Sequence, residues 1–261
     1  MTARSYTGIG TAPPAGGAEV DHSNTIFLVT GEEEKINVNA GHLNFVGSAS
    51  IGTTNAHTAK GWSNAFQFPG GSDYVDFSTG VTSTDNKYFT QAGSSSPVDL
   101  AVEMYVKSDV TLSGTNRGIF AYYNTVYCTM VYYSPGDNVF HYTNQAPWLS
   151  SVSSMSSADL GTDWHHIRVV YDASETDAYY FLDGTHVGTR SGTGTPRNFF
   201  LSATVSTSQI SLGRLYGWGG SNWDGQMCGF AASIGFTAST ASFTPPTLSQ
   251  MQSGDWINQG Y

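Results

Sequence analysis

Alternating apolar and polar residues between Val98 and Lys107 form the clearest pattern in this chain. The residues between the apolar positions include Asp99 and Glu103 as well as Lys107 itself. Strict alternation over ten residues predicts a long β-strand with one buried face and one solvated face. The apolar positions are Val98, Leu100, Val102, Met104 and Val106.

Short runs of the same kind recur along the chain, and the first begins at Thr25. No window of 12 residues shows the apolar spacing and caps of a helix, and only Thr247–Met251, after Pro245-Pro246, is a candidate for a short one. Many short strands separated by turns, with no repeat of fixed period, predict an all-β, antiparallel two-sheet sandwich. Further strands are expected at Gly118–Tyr123, Val126–Tyr133, Val139–Tyr142, His166–Tyr171, Ala178–Leu182, His186–Thr189, Ile210–Leu215 and Gln226–Phe236.

One hairpin is defined at residue level by Asp183-Gly184. This pair stands between the apolar runs Tyr179–Leu182 and Thr185–Val187. Asp-Gly accepts the positive φ angles of a two-residue turn whose twist matches that of the flanking strands.

The N-terminal residues 1–24 have a different composition from the rest of the chain. They contain Pro13-Pro14-Ala15-Gly16-Gly17 and few residues that could be buried, which predicts an extended arm. Residues 25–261 are expected to form a single domain, because sandwiches often exceed 200 residues. Aromatic residues make up 13% of the chain, which argues against general disorder.

The charge and the apolar content of the chain exclude some classes of binding partner. Twenty acidic residues against ten basic ones give a net charge of −10, and no basic run exceeds a pair, so nucleic acid is not an expected partner. No apolar run reaches the length of a membrane span, and residues 1–10 lack the apolar core of a signal peptide. We therefore expect synthesis in a cytoplasm. Cys128 and Cys228 could form one disulfide or remain two thiols, and we favour the thiols.

The segment from Trp164 to Thr189 resembles a known family. Trp164-His165-His166 opens an apolar run, and Leu182-Asp183-Gly184 followed by Val187-Gly188-Thr189 completes a hairpin similar to that of concanavalin A-like/laminin-G domains. The blocks Ala65–Phe77 and Ala241–Thr247 (Ala-Ser-Phe-Thr-Pro-Pro-Thr) resemble the same family, in the form carried by virion proteins of tailed bacteriophages. The resemblance covers about residues 25–247 and implies a concanavalin A-like jelly roll.

This resemblance implies a non-enzymatic structural protein of a phage particle. The expected role is a capsid decoration (cement) protein or a tail or fibre component on the particle surface, with a capacity for glycan binding. The major capsid or a tail protein would be its partner, together with further copies of itself in a homo-oligomer. The expected location is the virion, after synthesis in the host cytoplasm. The alternatives are a lectin for host-surface adhesion and, less favoured, a degenerate polysaccharide hydrolase.

The carboxylates do not favour catalysis. Retaining glycosidases need two carboxyl groups about 5 Å apart. Glu19-Val20-Asp21 lies in the arm and Glu175-Thr176-Asp177 in a turn, so neither pair stands on a predicted strand. His165 and His166 are neighbours in a strand and point to opposite faces, which predicts packing and hydrogen bonding rather than a metal site.

Candidate binding residues lie in two aromatic segments. Glycan sites combine aromatic rings with amide and acidic groups, and two segments predicted to be loops have this composition. The interpretation we favour is that the rings cover the end of the sandwich or contact another subunit. The glycan candidates are Tyr216, Trp218, Asn222, Trp223, Tyr142 and Trp148. The candidates for a calcium site are Asp73, Asp76 and Asp224, for which turn capping is the alternative.

Overall fold

The structure is a computed structural model. It describes residues 25–32, 42–70, 72–78, 99–110, 116–123, 128–134, 139–145, 162–172, 174–175, 177–191, 209–214, 222–234 and 238–253. The predicted arm, residues 1–24, lies outside the described residues.

The described part of the chain is built almost entirely of strands, which confirms the all-β prediction. A 3₁₀ turn (Thr58–Lys60) and helix α1 (Leu248–Ser253) are the exceptions. No helix in these ranges is long and apolar enough to cross a membrane. The strands are β1 (Thr25–Val29), β2 (His42–Val46), β3 (Ser50–Gly52), β4 (Ala65–Phe68), β5 (Tyr74–Ser78), β6 (Leu100–Ser108), β7 (Arg117–Tyr123), β8 (Cys128–Ser134), β9 (Val139–Gln145), β10 (His165–Asp172), β11 (Asp177–Leu182), β12 (Thr185–Arg190), β13 (Gln209–Leu212) and β14 (Gly225–Ile234).

These strands form two antiparallel sheets. The eight-stranded sheet has the order β12-β11-β10-β6-β14-β4-β3, with β1 also paired to β14. The six-stranded sheet has the order β2-β5-β13-β7-β8-β9. Strand β14 is therefore enclosed by β6 on one side and by β4 and β1 on the other.

The main core lies between the sheets, where the inward residues of each alternating strand meet. Val102, Met104 and Val106 of β6 contribute from one sheet, and Val75 and Leu212 contribute from the other. All five side chains are buried, and full burial of a side chain of this size stabilises the fold by roughly 1.5–3 kcal/mol.

The outward face of the eight-stranded sheet is covered as well. Ala101, Glu103 and Tyr105 alternate with the core residues of β6 and are nevertheless buried. Residues 238–253, here called the C-terminal strap, pack on this face together with Trp62. The prediction of one solvated face for this strand was therefore wrong, because a later segment of the chain excludes water from it.

The Asp183-Gly184 turn forms as predicted. Asp183 has φ 52° and Gly184 has φ 80°, which is the left-handed conformation that a two-residue hairpin turn requires. The same turn anchors the strap, since the Phe243 amide N donates a hydrogen bond to the Gly184 carbonyl O at 2.9 Å.

Trp164 and Cys228 belong to the packing layer beneath the strap. Trp164 is partly buried, donates from Nε1 to the Asn55 carbonyl O at 2.9 Å, and packs against the cluster beneath the strap. Cys228 in β14 is a free, buried thiol, in agreement with the favoured interpretation of the cysteines.

Replacing Gly184 by alanine should destabilise the domain by about 3 kcal/mol. The added Cβ would lie 1.9 Å from the Phe243 carbonyl O, at a residue whose φ is already left-handed. Urea unfolding would measure the loss. Gly188→Ala in β12, a position without positive φ, is the matched control and should cost far less. Equal losses in the two variants would contradict the close packing of the strap on this turn.

Candidate functional site

A row of polar side chains crosses the outward face of the six-stranded sheet. Asn44 of β2 pairs with Asp76 of β5, and Asp76 pairs with Ser211 of β13. Val75, the neighbour of Asp76, is buried between the sheets, so alternation places the polar row on the opposite face.

Asp76 is the central residue of this row. Its Oδ1 accepts a hydrogen bond from Ser211 Oγ at 2.5 Å. Burial raises the pKa of the Asp76 carboxyl, while the Ser211 hydrogen bond and the positive charge of Arg214 partly oppose that rise. The carboxyl group is half-buried, which leaves it partly open to a ligand.

Tyr74 and Arg214 stand beside the row. The Arg214 guanidinium carbon lies 4.4 Å from the centroid of the Tyr74 ring, a cation–π contact between two half-buried groups. Arg214 follows Gly213, whose φ of 79° turns the chain and whose missing side chain admits the ring of Phe68. Asn44, Tyr74, Asp76, Ser211 and Arg214 are here called the polar face.

The other two candidate calcium ligands, Asp73 and Asp224, lie in turns at one end of the sandwich. Asp73 is buried and accepts a hydrogen bond from the Ser48 amide N at 2.6 Å. Asp224 accepts one from the Asp109 amide N at its carbonyl O, at 3.1 Å. Burial, together with the negative charges of Asp109 and Asp73, raises the pKa of the Asp224 carboxyl against the influence of Arg117.

The three predicted calcium ligands therefore do not form one site. Asp76 lies on the polar face, while Asp73 and Asp224 belong to turns. Across the described ranges, no group of three His, Cys, Asp or Glu side chains could hold a metal ion. Turn capping, the alternative interpretation, accounts for Asp73.

The predicted glycan residues are dispersed. Trp223 is 0% exposed and donates from Nε1 to the Lys107 carbonyl O at 3.0 Å, so its interpretation as an open sugar platform was wrong. Tyr142 lies in strand β9 rather than in a loop. Asn222 is half-buried, and its carbonyl O accepts a hydrogen bond from Arg117 Nη1 at 3.2 Å. Trp148, Tyr216 and Trp218 lie outside the described residues.

The polar face adds residues that the sequence interpretation missed. Asn44, Tyr74 and Arg214 were not among the candidates, although Tyr74 and Asp76 alternate with Val75 and Phe77 along β5. That alternation identifies an outward pair on one strand. It could not show which residues of β2 and β13 would lie beside that pair.

A second polar group is enclosed on the other sheet. Glu103 Oε2 accepts hydrogen bonds from Arg168 Nη2 at 2.9 Å and Nε at 3.2 Å, and it lies 3.0 Å from His166 Nε2. Burial alone would raise the pKa of Glu103, but the positive charge of Arg168 and the His166 contact outweigh it and hold the pKa below its ordinary value. Glu103, His166 and Arg168 are here called the ionic cluster.

The ionic cluster is sealed from solvent. Glu103 is 1% exposed, and the Phe243 ring of the strap lies 3.6 Å from the Arg168 guanidinium carbon. His165, the residue before His166, does not belong to this cluster. Its Nδ1 lies 2.8 Å from Asp183 Oδ2. Both histidines are thus held by packing and hydrogen bonds, as predicted.

The profile of the concanavalin A-like lectin/glucanases superfamily matches residues 69–233. The chain belongs to this superfamily. Among curated proteins, none matches the chain.

Solved structures with the same fold are distant in sequence. The binding domain of botulinum neurotoxin DC, in complex with rat synaptotagmin II, has a TM-score of 0.56 and 9% identity over 90% of this chain and 51% of its own. A Trypanosoma rangeli sialidase has a TM-score of 0.53 and 13% identity over 92% of this chain and 35% of its own. This chain therefore spans about a third of the length of that sialidase.

A third similar structure is domain 4 of AbnA, an extracellular arabinanase of Geobacillus stearothermophilus, in complex with arabinotriose. Its TM-score is 0.50, with 11% identity over 81% of this chain and 93% of its own. At these identities the likeness supports the concanavalin A-like fold and nothing finer.

Replacing Glu103 by glutamine should cost about 3–5 kcal/mol of stability, because Arg168 would keep a buried charge without its counterion. Thermal and urea unfolding would measure the change. Glu175→Gln, in an exposed turn, is the matched control and should be nearly neutral. A loss below about 1 kcal/mol for Glu103→Gln would contradict a charged, enclosed cluster.

Proposed function

We propose that this protein is a non-enzymatic, glycan-binding structural component of a bacteriophage virion. The polar face supports the binding part of this proposal. It combines a half-buried ring, a guanidinium, an amide and a carboxyl group on one rigid sheet, which is the set of groups that sugar hydroxyls and the apolar face of a pyranose require.

The structural neighbours agree with a binding role. The botulinum neurotoxin DC binding domain is also known in complex with SialylT, with a TM-score of 0.53, and the AbnA domain with arabinotriose. The same toxin domain is known with a protein, synaptotagmin II. The fold therefore serves recognition of more than one kind, and the polar chemistry of this chain's own surface favours a sugar.

The arrangement of carboxyl groups favours binding over hydrolysis. Glu103 is neutralised by Arg168 and covered by the strap, so a polysaccharide has no access to it. Asp76 accepts a hydrogen bond from Ser211, and the charged group that influences its pKa is Arg214 rather than a second carboxylate. A retaining mechanism needs a pair of carboxyl groups about 5 Å apart.

The virion part of the proposal is supported by the resemblance of the hairpin and of the Phe243-Thr244-Pro245-Pro246-Thr247 segment to phage copies of the domain. The protein would be a capsid decoration protein or a tail or fibre component, attached to the major capsid or tail protein and assembled as a homo-oligomer. The acidic net charge of −10 would keep such a displayed domain away from free nucleic acid.

Glycan binding should depend on Tyr74 and Asp76. A glycan array carrying neutral and sialylated oligosaccharides would identify a ligand, and calorimetry would measure its Kd. Tyr74→Ala and Asp76→Asn should each weaken that Kd about tenfold, equivalent to about 1.4 kcal/mol, through loss of the ring and of an acceptor charge.

Two substitutions control this experiment. Tyr74→Phe keeps the ring and should retain most of the affinity, and Asp177→Asn, on the eight-stranded sheet, should leave it unchanged. Absence of binding to every sugar tested would contradict the proposal. Hydrolysis of a bound glycan that is lost in Asp76→Asn would contradict its non-enzymatic part.

Residues 1–24 should be needed for incorporation into particles but not for folding. A segment with so few apolar groups cannot offset its own ordering entropy, so we expect it to become ordered only against a partner. Deleting residues 2–24 should leave the melting temperature nearly unchanged. Quantitative mass spectrometry of purified particles should show reduced incorporation. Normal incorporation of the truncated protein would contradict an attachment role for the arm.

A further inference from the structure

The C-terminal strap carries no ionisable side chain. Residues 238–253 contain no Asp, Glu, His, Lys, Arg, Tyr or Cys. Any effect of pH on the docking of the strap must therefore come from the surface beneath it.

That surface holds the strap through hydrogen bonds and a cation–π contact. Besides the Phe243 amide on the Gly184 carbonyl, the Ala238 amide N donates to Asp99 Oδ2 at 2.9 Å. Tyr105 Oη donates to the Pro246 carbonyl O at 2.9 Å, and Lys60 Nζ donates to the Pro245 carbonyl O at 2.9 Å. The Phe243 ring lies over the Arg168 guanidinium at 3.6 Å. The contacts from Tyr105, Lys60 and Arg168 each involve a group that lies near a histidine.

His166 lies directly under the strap. Its ring meets the Phe243 ring edge-on, with centroids 5.7 Å apart, and the side chain is fully buried. Because Nε2 lies against the Glu103 carboxylate, Nδ1 is the acceptor of the neutral ring, and it has no hydrogen-bond partner among the described residues. A proton at Nδ1 would be a buried donor without an acceptor, which is costly.

The titratable and charged groups around His166 come from three elements. Glu103 and Tyr105 face it from β6, Arg168 stands on its own strand, and Asp183 approaches from the hairpin turn. Burial is the largest influence and lowers the pKa of His166, with the Glu103 contact opposing it and the Arg168 charge adding to it.

His57 is a second histidine in the same layer. Its ring stacks on Trp164 at 5.0 Å and tilts against Tyr105 at 4.8 Å, in the loop that Lys60 ties to the strap. Burial, with the positive charges of Lys60 and His166, lowers the pKa of His57 to about 4, against a weaker opposing effect of Asp183.

We propose that the strap is a pH-gated cover, docked on the eight-stranded sheet at neutral pH and released in mild acid through His57 and His166. Release of the strap would expose Trp62, Trp164 and the ionic cluster to solvent. Both histidines resist protonation while the strap is docked, and both regain their ordinary behaviour once it lifts. Proton uptake below pH 6.5 therefore favours the lifted state, and this effect grows until the pH approaches about 4.

The cover is independent of the proposed glycan site, since the two lie on different sheets. Glu103 stays charged throughout this pH window, because Arg168 and His166 hold its pKa below the ordinary value in spite of burial. The Glu103–Arg168 ion pair thus does not itself switch. The proton acts on the histidines.

Hydrogen–deuterium exchange of the full chain tests the proposal at pH 7.5 and pH 5.0, with exchange times corrected for intrinsic rates. Protection of residues 238–253 should fall about tenfold at pH 5.0. Protection of strands β10, β11 and β12, here the hairpin region, should stay unchanged. Equal strap protection at both pH values, or an equal fall in the hairpin region, would overturn the proposal.

Variants separate the histidines from other groups. His57→Phe keeps the stacked ring without taking up a proton, and His166→Gln keeps an N–H donor toward Glu103. The fall in strap protection between pH 7.5 and pH 5.0 should therefore shrink to about threefold or less in each variant. His141→Gln, in β9 of the other sheet, is the matched control and should show the full fall. A fall in strap protection as large as that of the wild type in both His57→Phe and His166→Gln would overturn the mechanism. If His166→Gln does not fold, His57→Phe decides alone.

Discussion

The pairing of β6 with β10 places Glu103 directly opposite Arg168, and this buried ion pair constrains the rest of the molecule. A charge pair removed from water is tolerated only where its geometry is good and its remaining polar groups are contacted. Here His166 on the same strand pair and the Phe243 ring of the strap supply part of these surroundings, while Glu103 Oε1 and His166 Nδ1 have no hydrogen-bond partner among the described residues. The eight-stranded sheet consequently has two dry faces and cannot be separated from its C-terminal cover without cost.

The six-stranded sheet carries the opposite arrangement. Its outward row keeps Asn44 at the surface and leaves Tyr74, Asp76 and Arg214 half-buried, with Asp76 held by the buried Ser211 and Tyr74 by Arg214. One sheet thus provides stability through enclosure and the other provides a surface. The division explains how a chain with few charged residues can support both a buried ionic cluster and an open polar face.

The sequence was sufficient for what depends on local pattern. Alternation along β6 correctly located the core residues Val102, Met104 and Val106, and Asp183-Gly184 defined a hairpin to the residue. It was not sufficient for what depends on distant segments. Glu103 and Tyr105 look like solvated positions until the strap, well over a hundred residues later, covers them. Trp223 failed as a site residue for the same reason, since its indole is buried and donates to the Lys107 carbonyl O, more than a hundred residues earlier.

The free thiol of Cys228 has a practical consequence. It lies in β14, between β6 on one side and β4 and β1 on the other, and burial, with the nearby charge of Glu32, raises its pKa well above the ordinary value. A thiol in that state does not react with an alkylating reagent while the sheet is closed, because the thiolate is the reactive form. The rate at which Cys228 is labelled therefore reports how often the centre of this sheet opens, so this thiol is a built-in probe of local unfolding in the native state.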